Sequence, residues 1–106
     1  MLPSIPATAQ RALLCVVLSC SVLGCGNSLY ALKINGAAGR FEEARTVGAE
    51  QAAPYEYYSA EARLEEARRQ AARAEYGTAA SLASEAERYA ARAITKTKNA
   101  KARGAP

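Results

Sequence analysis

The sequence predicts an all-α chain, a small antiparallel three-helix bundle or helical hairpin that follows an N-terminal signal helix. Three observations predict it. Of the 82 residues from Cys25 onward, 23 are alanine, and glutamate and arginine carry most of the charge; all three are strong helix formers. Small and apolar residues recur at steps of three and four, which places them along one stripe of a helix. Aspartate is absent and β-branched residues are few, so no stretch has the composition or the alternation of a strand.

Residues 1–24 read as an export signal. Residues 12–23, ALLCVVLSCSVL, form an uncharged apolar run preceded by Arg11 and ended by the small Gly24. Basic, then apolar, then small is the order of a secretory signal. The run is shorter than the roughly 20 apolar residues that a permanent bilayer span needs. The first ten residues carry no basic side chain and include Pro3 and Pro6, which leaves open an internal start or a weak basic region.

All three cysteines, Cys15, Cys20 and Cys25, fall in or beside this run, so no disulfide can staple the remainder. Val22-Leu23-Gly24-Cys25 resembles the lipobox of bacterial lipoproteins, with an aliphatic residue at minus three, a small one at minus one and then cysteine. Cleavage between Gly24 and Cys25 needs the small residue at the scissile bond. Only a thiol can take the diacylglyceryl thioether, so the lipidated residue is Cys25, with a further acyl chain on its new amine. Several acyl chains bury many methylenes, enough for lasting attachment. Leu23 is larger than the residue usual at minus two, and Val17-Leu18-Ser19-Cys20 is a second, poorer candidate. Lipoproteins with aspartate after the cysteine are commonly retained in the inner membrane; Gly26 stands there, which implies the periplasmic face of the outer membrane.

Residues 25–35 are expected to be a lipidated tether and residues 36–98 a helical domain, although Asn27-Ser28 and Asn35-Gly36 are both plausible helix starts. Ile34, Ala37, Phe41, Ala44, Gly48 and Gln51 form the first stripe. Pro54 disfavours helical geometry at Ala53 and suits the first turn of a second helix. There Tyr57, Ala60, Leu64, Ala67, Ala71 and Ala74 form the next stripe. Gly77 is expected to close that helix and Thr78 to cap a third, with Ala79, Leu82, Ala86, Tyr89 and Ala93 on its buried face. Residues 99–106 are expected to be a basic flexible tail. Only fourteen residues from Cys25 onward are Leu, Ile, Val, Phe or Tyr, so the core is thin and invites a partner or self-association.

The net charge of +4 is concentrated at the end of the chain, where Lys96, Lys98, Lys101 and Arg103 occur with no acid among them. These four are candidate contacts to an anionic surface such as peptidoglycan; lysine near a helix end also complements the macrodipole. The chain has neither histidine nor aspartate, which removes the usual bases and metal ligands. The glutamates sit where a solvated helix face explains them, and adjacent Glu65 and Glu66 diverge by about 100°. Catalysis, metal binding and any cofactor beyond the lipid on Cys25 are not expected. Tyr55 and Tyr58, three apart and off the stripe of Tyr57, form the candidate partner-binding face, because tyrosine offers large contact area at low entropic cost. Nucleic-acid binding by the tail conflicts with export.

The stretch 41–93 resembles a family of small bacterial envelope lipoproteins catalogued as domain of unknown function 4398, above all in APYEYYSAEARLEEA (53–67) and EYGTAA (75–80). That resemblance implies an envelope protein, with similar domains fused to peptidoglycan-binding outer-membrane domains. The helix pair 58–93 is also similar in architecture to a tetratricopeptide unit, with Ala67, Tyr76, Ala79 and Ala86 near its small and aromatic positions. The expected function is a non-catalytic helical adaptor in the cell envelope, or a spacer between outer membrane and peptidoglycan.

Overall fold

The computed structural model describes residues 6–104, with the side chains of residues 17–26 excepted. The protein is all-α. Helix α1 spans Ala7–Val47, a single turn α2 spans Ala49–Ala52, α3 spans Pro54–Ala72 and α4 spans Tyr76–Ala102.

Helical structure runs across three of the expected boundaries. The backbone is helical without a break from Ala7 to Val47, so neither the end of the signal segment nor the expected tether at 25–35 is marked by a change of structure. No proline interrupts that stretch, and its isolated glycines cost only about 1 kcal/mol each in a helix. The cleavage and lipidation residues Gly24 and Cys25, and the alternative Cys20, lie outside the residues whose side chains are described. Among the described residues, no helix is long and apolar enough to cross a membrane. At the other end, α4 continues to Ala102, so residues 99–102, the first half of the expected flexible tail, are helix.

The first helix ends at Gly48 rather than running through it to Gln51. Gly48 is left-handed at φ 88°, and its N–H reaches back to the carbonyls of Ala44 and Arg45. Glycine takes this conformation without a Cβ penalty. The expected break at Pro54 is present as well: Ala53 leaves helical geometry at φ −141°, ψ 61°, and Pro54 opens α3. Between α3 and α4 the turn falls earlier than Gly77 suggests. Ala74 adopts φ 61°, the Ala74 N–H donates to Ala71 O at 2.9 Å and the Glu75 N–H donates to Gln70 O at 2.9 Å. This pair of bonds is a Schellman closure with alanine where glycine is usual. Gly77 lies inside α4, whose N-cap is Glu75 and not Thr78.

The helices run up, down and up. Phe41 and Arg45 of α1 meet Tyr57 of α3, and Arg63 and Glu56 of α3 pair with Glu85 and Lys96 of α4, so each consecutive long pair is antiparallel. Tyr30 lies against Tyr76 and Lys101 reaches Val47, so α1 and α4 are parallel. Helix α4 packs extensively on both α1 and α3, whereas α1 and α3 meet much less. The outcome is elongated and thin, 78 × 27 × 13 Å, and not a closed three-helix bundle.

Among the described residues, twelve of the sixteen buried apolar side chains are alanine, and the larger ones are Phe41, Tyr57, Leu64 and Ile94. The α3 stripe is buried as expected at Tyr57, Ala60, Leu64 and Ala67. On α4 the buried face is rotated from expectation. Ala83, Ala90, Ile94 and Thr97 are buried beside Ala79, Ala86 and Ala93, while Leu82 and Tyr89 pack at its margin. Thr97 donates its hydroxyl to Ala93 O at 2.7 Å, which satisfies it in the core.

The two left-handed residues give opposite expectations. Gly48→Ala should lower stability by about 1 kcal/mol through the Cβ clash at positive φ. Ala74→Gly should raise it by about 0.5 kcal/mol, because relief of the same clash exceeds the extra freedom of glycine in the unfolded chain. Urea midpoints of the two variants check both signs.

Candidate functional site

Helix α3 begins with Pro54, Tyr55, Glu56, Tyr57 and Tyr58, and the helical turn sends these side chains in different directions. Tyr57 points into the core at 3% exposure, stacked on Phe41 with ring centroids 4.8 Å apart. Its hydroxyl accepts from Arg45 Nε at 3.4 Å, and Arg45 also lies 5.1 Å over the Phe41 ring. Tyr55 and Tyr58 remain on the surface, 69% and 50% exposed. Both candidate partner-binding residues are therefore accessible.

They lean opposite ways. Tyr55 meets the edge of Tyr89 on α4 at 6.4 Å, whereas Tyr58 packs edge-on to Tyr57 at 5.2 Å. The Tyr58 hydroxyl donates to Glu50 of α2 at 2.9 Å, and this bond pushes its titration upward. Tyr58 is thus tied to the short helix before it, and Tyr55 to the helix that follows.

Tyr89 is the centre of an arginine cluster. The Arg63 guanidinium lies 4.2 Å over its ring and that of Arg92 lies 5.3 Å away, both within cation–π range. Arg63 also donates to Glu85 at 3.2 Å and to Ser59 O at 3.3 Å. Tyr89 was expected in the core; its half-buried ring instead holds two cations beside Tyr55. The signal available in the sequence was the spacing of Arg88 and Arg92 about Tyr89, but the approach of Arg63 from another helix leaves no local trace.

The four basic residues near the C-terminus separate by role. Lys96 pairs with Glu56 at 3.2 Å, joining α4 to the start of α3. Lys101 donates to Val47 O at 2.5 Å, where a cation complements the C-terminal end of α1. Lys98 and Arg103 are exposed. Lys96 and Lys101 therefore clasp the fold, and the buried Thr97 lies between them, so this end of the chain is part of the core.

A depression between α1 and α3 is lined by three acids, Glu42, Glu61 and Glu65, and two bases, Arg45 and Arg68. Among the described residues, no group of three metal-capable side chains gathers.

Glu56 lies in the first turn of α3, and its carboxyl is held below the usual range, first by its own backbone N–H and then by Lys96. In the unfolded chain it titrates near 4.3. Its contribution to stability is therefore present above that pH and is lost as pH falls through the lower native value. Acid titration of Glu56→Gln should lose stability less steeply than the wild type between about pH 5 and 3, followed by helical circular dichroism.

Residues 33–106 match the family described as Domain of unknown function (DUF4398), and the chain belongs to that family. No curated protein and no solved structure matches it.

Proposed function

We propose that this DUF4398 protein is a non-catalytic helical module of the bacterial cell envelope, lipid-anchored through Cys25 to the periplasmic face of the outer membrane. It binds a partner protein through the surface around Tyr55 and Tyr58. The observation that carries the partner role is the exposure of two tyrosines at the start of α3, one of which, Tyr55, lies against a third ring held by arginines. Aromatic and arginine side chains together are the composition of interface hot spots. The lipobox-like Val22-Leu23-Gly24-Cys25 and the non-acidic Gly26 support the address. The antiparallel α3/α4 pair has the helical-hairpin form of a tetratricopeptide unit, a form suited to presenting a side-chain surface.

A spacer between outer membrane and peptidoglycan is the second reading. It is favoured by the thin, elongated shape and by a 27-residue α4, about 40 Å long at the helical rise.

Two measurements test the proposal. Metabolic lipid labelling with intact mass should show acylated wild type and unlabelled Cys25→Ser; an unlabelled wild type overturns the address. In-cell crosslinking should lose its protein adduct in Tyr55→Ala/Tyr58→Ala while helicity is retained. Adducts unchanged by the double substitution would remove the tyrosine face as the docking surface.

A further inference from the structure

On the exposed side of α4, Arg88, Arg92 and Lys96 recur at every fourth residue, about 6 Å apart by the rise of the helix. Two shallow depressions share Arg92. One is lined by Arg63, Glu85, Arg88 and Tyr89, the other by Glu56, Lys96, Asn99 and Arg103 among others. Together they form a continuous band with five cations against two carboxylates.

The band differs from the surface around Arg40, Arg45 and Arg69. Arg40, Arg45 and Arg69 are each neutralised by a glutamate three residues away on the same helix. Among the described residues, no carboxylate stands within ion-pair distance of Arg88, Arg92 or Arg103. Like charges at i, i+4 oppose helix formation, so the row does not stabilise the fold. The Tyr89 ring meanwhile restrains Arg63 and Arg92, which lowers the entropy they would lose on binding an anion.

We propose that this band, with Tyr55 at its margin, is the docking surface for an extended acidic segment of a partner protein, with carboxylates at every second residue. On one side of an extended chain, alternate side chains are about 6.6 to 6.8 Å apart. That repeat lies close to the roughly 6 Å spacing of the cations, so successive carboxylates can meet Arg88 and Arg92 in register, with the next one reaching Lys96 beside its own partner Glu56. Guanidinium groups at two of the three positions suit bidentate carboxylate binding. The inference rests on the partner-binding role proposed above and adds the chemistry of the partner.

The test uses the full chain in detergent and a fluorescent dodecapeptide of alternating glutamate and serine, with polyphosphate and peptidoglycan sacculi as the other polyanions. At low ionic strength the wild type should bind the peptide saturably. Arg88→Gln/Arg92→Gln should weaken binding by about tenfold or more, and Arg69→Gln, outside the band and paired with Glu66, should leave it nearly unchanged. Circular dichroism confirms that the variants fold. Absence of saturable peptide binding, or equal binding by the double variant, overturns the proposal. Retention of polyphosphate or sacculi without the peptide also overturns it and gives the band to a different polymer. Peptide binding in detergent does not need the lipid, so it stands or falls separately from the labelling of Cys25. If the in-cell adduct is lost with the tyrosine variants but survives Arg88→Gln/Arg92→Gln, the acidic-segment inference fails and the adaptor reading does not.

Discussion

The fold depends on close approach of α4 to two neighbours, and that approach is possible because its facing residues are mostly alanine. Ala79, Ala83, Ala86, Ala90 and Ala93 place a methyl group where a larger side chain would hold the backbones apart. Each methyl buries little area, so the interface is close but shallow. Phe41, Tyr57, Leu64 and Ile94 compensate by supplying volume. The aromatic stack of Phe41 on Tyr57 joins the two outer helices, which otherwise touch little. Much of the remaining cohesion is polar and peripheral: Lys96 to Glu56, Arg63 to Glu85 and Lys101 to the end of α1.

The same economy of core explains where the surface chemistry gathers. A face of small residues leaves the long side chains at its margins, and the aromatic rings there become platforms for cations. Arg45 over Phe41 and Arg63 over Tyr89 are two such pairs. Their surroundings differ. Arg45 lies among Glu42 and Tyr57 and is satisfied within the fold. The Tyr89 cluster carries more positive charge than its carboxylates neutralise and is open to solvent.

Helix content, the break at Pro54 and the core stripe of α3 were legible in the sequence because each follows from local chemistry. Proline removes a helix donor, and the three-four spacing of Tyr57, Ala60, Leu64 and Ala67 has enough apolar contrast to orient a helix. The face of α4 was less legible for the same reason. With alanine on several sides, Leu82 and Tyr89 attract the stripe to themselves, whereas packing selects the methyl groups that permit close approach. Ala74, and not Gly77 three residues later, carries the left-handed turn, because the hydrogen bonds to Gln70 and Ala71 decide the position. The lysines near the C-terminus read as a free tail because their partners, Glu56 and Val47, lie 40 and 54 residues away in the sequence.

The parallel course of α1 and α4 has a mechanical consequence. The turn between α3 and α4 lies beside the middle of α1 near Tyr30, whereas Tyr55, Arg92 and the end of α4 lie toward the opposite end. Tension applied between the early part of α1 and the arginine band would therefore run along the helix axes. It would load the alanine interface in shear across many small contacts at once, instead of peeling one helix away turn by turn. A shallow core of methyl groups is weak against peeling, and this topology directs the load where its length counts.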